Sequence, residues 1–170
     1  MMNRVKRTVA ATVAVAILMA FGVDSVLASL RIGDTPPRIT FENLAGSTVS
    51  LPDSAVGKVA VIHFWTTGCG SCREEMQTLE GLYRTYGRKG VTILAVNIGD
   101  QRPQIRETLA GLPLSFPVLM DPERRSVRPY NVTGVPRTLI LDRNGIIRYK
   151  IIGSSSRETL AKYITSLMDR

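Results

Sequence analysis

The chain has 170 residues, 44% of them hydrophobic and 21% charged, and a formal net charge of +8. That composition suits one folded domain with a single core and speaks against a disordered chain. The positive residues are scattered singly or in pairs, without interleaved aromatics, so no nucleic-acid partner is expected.

Residues 1–28 read as an export segment. Arg4, Lys6 and Arg7 form a positive flank, and Thr8 to Val23 is a run of 16 uncharged residues. Val26-Leu27-Ala28 has the form of a small-residue cleavage site. The run is a little short of the ~20 residues of a comfortable membrane span. A cleaved signal is therefore preferred, with a retained membrane anchor through residues 8–23 as the alternative. Either reading puts the rest of the chain outside the cytoplasm, in the periplasm or on the outer face of the membrane, because the positive flank stays inside. No Cys follows Ala28, so lipid attachment is not indicated. Without Arg4, Lys6, Arg7 and Asp24 the domain carries about +6, basic but diffuse.

Residues 29–37, with Thr35-Pro36-Pro37, read as a linker, and 38–170 as one domain. Residues 39–42 and 47–51 flank Gly46 as a short hairpin. Lys58 to Trp65 is a continuous apolar run, as in a strand buried on both faces. Cys69 to Tyr86 reads as a helix with Met76, Leu79, Tyr83 and Tyr86 on its apolar side, ended by Gly87 and Gly90. Val91 to Ile98 is a second buried strand, Pro103 to Leu112 a helix, and Phe116 to Met120 a short strand. Glu123 to Tyr130 is read as one or two helical turns. Arg137 to Asp142 and Ile146 to Ile152 are strands joined by Asn144-Gly145, a strong hairpin signal. A last helix starts near Ser155, where Ser155 and Glu158 have capping-box spacing. The order predicts a sheet that begins parallel, ends antiparallel and is covered by helices.

The only cysteines, Cys69 and Cys72, lie where the apolar strand meets the helix. A three-residue spacing ties no distant segments together, so a structural disulfide is a poor reading. A zinc site wants four ligands, and the chain offers two Cys and one His. A C-x-x-C beside a β–α pattern is a redox signature instead. At the helix start Cys69 is the candidate nucleophile, because the helix N-terminus lowers a thiol pKa from ~8.5 to ~3.5–7.5. Cys72, one turn in, is the candidate resolving thiol. Glu75 falls about 60° from Cys72 around the helix, whereas Glu74 points roughly opposite. Glu75 is thus either an acid that raises the Cys72 pKa and relays its proton, or an ordinary surface glutamate favoured by the helix dipole. Arg73 and Arg137 are read first as solvated surface arginines and His63 as a core histidine. Trp65 is read as packing at the core or rim of the site, and Thr66 and Thr67 as shaping the loop. Spacing alone does not assign the isomer of Pro136.

The segment Phe64-Trp-Thr-Thr-Gly-Cys-Gly-Ser-Cys-Arg-Glu-Glu-Met76 resembles the active-site segment of thioredoxin-like proteins of the TlpA/ResA/DsbE type. Residues 43–51 resemble their leading hairpin, and Val91 to Ile98 their second central strand. Gly134-Val-Pro-Arg-Thr138 with Asp142-Arg-Asn-Gly-Ile146 resembles the cis-proline loop and its hairpin. The likeness covers about four-fifths of the chain, Ile32 to Arg170, and implies an α/β thioredoxin fold. In that fold a mixed central sheet is flanked by helices, with an N-terminal β-hairpin and a helical insertion (98–116) before the third core strand. It implies a thiol–disulfide oxidoreductase outside the cytoplasm that reduces partner proteins, such as apocytochrome c or copper-site proteins. A membrane electron donor is implied, and no cofactor or metal. It makes Pro136 a cis-proline, with Val135 presenting its backbone to a partner strand, and favours the catalytic reading of Glu75. Val135, Pro136 and Trp65 are then the substrate-binding candidates. Gly68 and Ser71 depart from the family's usual Trp and Pro. A loop less restrained by these two residues leaves the redox potential open.

Two other functions fit the pair. A peroxiredoxin-like peroxidase would use Thr66, three residues before Cys69, but the proline expected four residues earlier is Ile62. A non-enzymatic carrier would hold Cu(I) on the soft dithiol.

Overall fold

The computed structural model describes residues 30–168, so the export-segment reading of residues 1–28 falls outside it. Among the described residues no helix is long and apolar enough to cross a membrane.

A seven-stranded sheet organises the molecule. Its strands are β1 (Ile39–Asn43), β2 (Thr48–Leu51), β3 (Val59–Trp65), β4 (Val91–Ile98), β5 (Val118–Asp121), β6 (Arg137–Leu141) and β7 (Ile147–Ile152). Their spatial order is β2-β1-β5-β4-β3-β6-β7. The central strands β3, β4 and β5 are parallel, and β6 and β7 extend the sheet antiparallel. The leading hairpin closes the opposite side, where β1 runs antiparallel to β5. Both edges are thus antiparallel, one more reversal than the chain order alone suggests.

Every residue of β3 and of β4 is buried, which explains their largely apolar runs, broken by His63, Thr92 and Asn97. Alternation sends Val59, Val61 and Trp65 to one face and Ala60, Ile62 and Phe64 to the other. The first face carries the three α-helices of the described residues: α1 (Gly70–Tyr86), α2 (Arg102–Thr108) and α3 (Arg157–Met168). In α1 the buried stripe is Cys72, Glu75, Met76, Leu79, Glu80 and Leu82, with Tyr83 and Tyr86 at its margin. Burying each large apolar side chain here contributes about 1.5–3 kcal/mol.

Among the described residues, the second face carries no α-helix. It is covered by residues 30–37, a short 3-10 turn at Asp53–Ala55, and the turns around Val127, Tyr130 and Val132. The stretch expected to be a linker is bound to the domain. Leu30 is buried, Gly33 donates to the Ile147 carbonyl at 2.8 Å, and Ile147 donates to the Asp34 carbonyl at 3.0 Å. The Tyr130 hydroxyl donates to the Pro37 carbonyl at 2.8 Å.

Residues 122–131 form turns rather than the expected helical segment. Arg124 and Asn131 both have left-handed φ, which a helix does not tolerate. Asp121 instead organises this stretch, accepting hydrogen bonds from the Arg125 and Ser126 amides and the Ser126 hydroxyl. α2 is shorter than expected, ending at Thr108. Its N-cap is Gln101, whose capping box with Gln104 starts the helix at Arg102. α3 is capped by Ser156, whose hydroxyl receives the Thr159 amide at 3.2 Å, so the cap lies one residue beyond Ser155.

Glu80 anchors the insertion. Its carboxylate accepts from the Ser115 amide and hydroxyl, each at 2.7 Å, and from Arg84 at 2.6 Å. Burial pushes the Glu80 pKa up, but these hydrogen bonds outweigh burial and hold it below its ordinary value. Its contribution to stability is therefore complete above the unfolded-state carboxylate range, near ~4.3, and is lost as pH falls through the folded value. Glu80→Ala is expected to cost about 1–3 kcal/mol, because it strands the Ser115 amide. Urea denaturation and hydrogen exchange at Ser115 check this, and unchanged protection at that amide would contradict it.

Candidate functional site

The strand β3 ends at Trp65, and residues 66–69 turn the chain into α1. Cys69 is the N-cap of α1, with extended backbone (φ −97°, ψ 99°). Its Sγ accepts the Cys72 amide at 3.2 Å, one of the otherwise unpaired N–H groups of the first helical turn. Cys69 and Cys72 form a disulfide, with Cα atoms 5.3 Å apart. The two sulfurs are not equivalent in access. Cys69 is half-buried, and Cys72 is fully buried against the core that contains Trp65 and Met76. The Ser71 hydroxyl lies 3.6 Å from the Cys69 Sγ, so this residue does place a polar group beside that sulfur.

The turn before Cys69 is held from a direction the sequence did not disclose. The Thr67 amide donates to the Asp100 carboxylate at 2.7 Å. Asp100 is in turn fixed by Asn97, which donates from its side-chain nitrogen at 2.9 Å and accepts the Asp100 amide at 3.2 Å. A buried Asn at the end of an apolar strand, three residues before an Asp, was the available signal. It becomes readable only once β4 is known to lie beside β3.

Glu75 is on the Cys72 side of α1, as its phase predicts, and is 4% exposed. Glu74 is exposed. Burial lifts the Glu75 pKa to about 7, and the Ser155 backbone at the approach to α3 pulls it down in part. Neither carboxylate oxygen makes a hydrogen bond of ordinary geometry. The surface-glutamate alternative therefore does not describe this residue.

The Val135–Pro136 bond is cis. Pro136 is buried and its carbonyl receives the Gly153 amide at 2.9 Å, while Val135 is partly exposed. Trp65 is fully buried, so its ring has no surface to offer a partner and packs beneath the pair instead. Arg137 corrects the expectation of a solvated arginine: it is 2% exposed, opposite Phe64 in the β3–β6 register. Burial lowers its pKa, and its Nε has no partner. Arg73 is exposed, as expected. Among the described residues no cluster of three or more His, Cys, Asp or Glu side chains is arranged to hold a metal ion.

The sequence profile of the AhpC/TSA family matches residues 32–150. The thiol-disulfide oxidoreductase ResA of Geobacillus kaustophilus is 31% identical over 139 residues, which are 82% of this chain and 79% of the relative. ResA of Geobacillus thermodenitrificans is 29% identical over 173 residues, covering 98% of this chain and 99% of the relative. Among solved structures, a candidate thiol:disulfide interchange protein DsbE from Chlorobium tepidum superposes with a TM-score of 0.77 at 30% identity, over 82% of this chain and 99% of its own. The thioredoxin domain of a thiol-disulfide oxidoreductase from Bacteroides vulgatus gives 0.71 at 26% identity, over 80% and 99%.

Proposed function

The chain belongs to the AhpC/TSA family and is a thiol–disulfide oxidoreductase, and on that premise we propose that it reduces partner-protein disulfides outside the cytoplasm, with Cys69 attacking and Cys72 resolving. The observation that carries the assignment of roles is the asymmetry of the pair. Cys69 is within reach of a partner at a helix N-terminus, and Cys72 is fully enclosed.

In the reduced protein the Cys69 thiolate attacks one sulfur of a partner disulfide. The partner S–S bond breaks, the attacked sulfur bonds to Cys69 as a mixed disulfide, and the other sulfur leaves as a thiolate and takes up a proton. Cys72 then loses its proton and attacks the Cys69 Sγ. The mixed disulfide breaks, the partner leaves with its second thiol, and the Cys69–Cys72 disulfide returns. Two electrons have passed to the partner, and a membrane donor restores them. Val135 offers backbone beside Pro136 for pairing with the partner segment, and Glu75 takes the Cys72 proton. Apocytochrome c or copper-site proteins are the substrates the resemblance supports. The extracytoplasmic site of action draws on the N-terminal segment, positive and then apolar, and on the alignment of nearly the whole chain with one ResA.

A redox titration of the full chain tests the direction. A reductant should equilibrate at or below about −200 mV, and a potential far above that would overturn the role. Turnover of hydrogen peroxide with a thiol donor would favour the peroxidase reading instead. In intact cells a membrane-impermeant maleimide should label reduced Cys69, whereas labelling only after lysis would contradict the location.

A further inference from the structure

Cys69 stands between Gly68 and Gly70, and a side chain at either position would open into free space, with no atom within 4 Å of its Cβ. The turn that carries the attacking sulfur is therefore not fixed by packing at these two positions. Glycine also loses more conformational freedom on ordering than any other residue. Hydrogen bonds must do the holding. The Cys69 amide donates to the Thr66 carbonyl at 3.3 Å, a bond inside the turn itself. Among the described residues, one hydrogen bond ties residues 66–69 to an element other than α1. It runs from the Thr67 amide to the Asp100 carboxylate, at 2.7 Å.

Asp100 is itself well anchored. The oxygen that accepts from Thr67, Oδ2, also accepts the Asn97 side-chain N–H at 2.9 Å. The Asn97 Oδ1 accepts the Asp100 amide at 3.2 Å. Asn97 is fully buried and lies beside Trp65, the last residue of β3, in the β3–β4 register. A buried amide side chain is costly unless its polar atoms are paired, and here both ends are spent on one residue. Gly99 turns the chain at the end of β4 with a φ of +85°, and its amide donates to the Asp121 carbonyl at 2.9 Å. Beyond Asp100, Gln101 caps α2, and Arg102 donates to the Leu44 carbonyl at 2.7 Å. None of these bonds involves the redox pair, so the carboxylate is a fixed post to which the turn is tied.

The other charged side chains on the elements meeting at the turn are Arg73, Glu74 and Glu75 of α1 and Arg137 of β6. Arg73 and Glu74 are exposed, and Glu75 and Arg137 are buried. Among the described residues Asp100 forms an ion pair with none of them. Its observed work is to accept two N–H groups with one oxygen.

We propose that Asp100 is a positioning residue for the first attack, keeping Cys69 at the N-cap of α1 through the Thr67 amide while the pair is reduced. The inference rests on the attacking role given to Cys69 above. In the oxidised protein the S–S bond itself fixes Cys69 over Cys72. Once the pair is reduced that link is gone, and the sulfur stays at the helix terminus only as long as the turn does. The N–H groups of the first helical turn stabilise a thiolate only when the sulfur lies against them. The tether therefore acts on the reduced protein and hardly at all on the disulfide form.

Two substitutions in the full chain test this. Asp100→Ala removes the acceptor, whereas Asp100→Asn keeps an oxygen for Thr67 and Asn97 and removes the charge. Alkylation of the reduced protein by iodoacetamide is followed against pH, with the modified cysteine identified by mass spectrometry. In Asp100→Ala the Cys69 midpoint is expected to rise by about one unit, a tenfold loss of thiolate below the midpoint. The dithiol–disulfide equilibrium should move about tenfold against the reduced form, which lowers the potential by about 30 mV. Asp100→Asn is expected to restore native values of both. An effect of the charge alone has the opposite sign, because removing a nearby anion favours the thiolate. A midpoint lowered in both variants would therefore overturn the proposal, and so would a midpoint unmoved in Asp100→Ala. If that variant fails to fold, hydrogen exchange in the native reduced chain decides. The Thr67 amide should exchange about tenfold or more slowly than the Gly68 amide, and equal exchange would overturn the tether. A native chain with the expected alkylation profile that exchanges with no protein disulfide would instead defeat the functional reading alone.

Discussion

Cys72→Ser is expected to convert the protein into a trap, accumulating mixed disulfides between Cys69 and partner proteins, whereas Cys69→Ser should lower exchange by on the order of 10³-fold or more and trap nothing. The contrast follows from burial and from the helix terminus. Cys69 ends the turn from β3 with its sulfur against the Cys72 amide, where partial positive charge favours a thiolate. Cys72 is fully enclosed against Trp65 and Met76 and has no surface to offer a large partner. Its one reachable disulfide is the one made at Cys69. A serine hydroxyl at 72 cannot take over the attack, so the mixed disulfide outlives its normal resolution. Non-reducing electrophoresis and mass spectrometry of the linked peptides read the outcome. Adducts on Cys72 in the Cys69→Ser protein would reverse the assignment.

The elements that position this pair were the most legible part of the chain. Two largely apolar runs admit a buried parallel centre, and Asn144-Gly145 admits a hairpin with little ambiguity. A helix phase of 100° per residue was enough to put Glu75 beside Cys72 and Glu74 in solvent. Local pattern failed where long-range contacts decide. Arg137 looked like a surface residue, yet its place opposite Phe64 on an inner strand buries it whatever its charge. The local mark of Asp100, an Asn three residues before it at the end of the apolar strand, says nothing of Thr67, because that contact exists only where β3 and β4 are neighbours. The charged run at 123–128 suggested helical turns, but Pro129 interrupts any helix there and the hydrogen bonds to Asp121 pull the stretch into another path. Residues 30–37 looked like a linker because prolines and polar residues dominate them. Their backbone bonds to Ile147 depend on an edge strand more than a hundred residues away.

Glu75→Gln is expected to make the oxidised protein more stable above neutral pH and the enzyme slower. The oxidised fold holds the Glu75 pKa at about 7 against an ordinary value of 4.5, chiefly through burial. The folded state therefore binds more protons than the unfolded state between those values, and stability falls as pH rises through that window. The contribution is fully present below about 4.5 and is lost once pH passes about 7, a difference of about 3 kcal/mol at most. A glutamine fills nearly the same space and never ionises. The variant should match the native protein near pH 5 and exceed it near pH 8 by up to that amount, as measured by urea denaturation of the oxidised forms. Parallel pH dependences would show that the carboxylate is not held in its neutral form. The kinetic consequence has the opposite sign. A proton acceptor beside a reacting thiol is worth roughly 10²–10⁴-fold, so resolution of a preformed mixed disulfide should slow by about that factor. Capture of the partner by Cys69 should be nearly unaffected, because that sulfur draws its acidity from the helix terminus and not from Glu75. A carboxylate that only packed the core would produce the same widening stability gap with pH, but not the confinement of the rate loss to the second step.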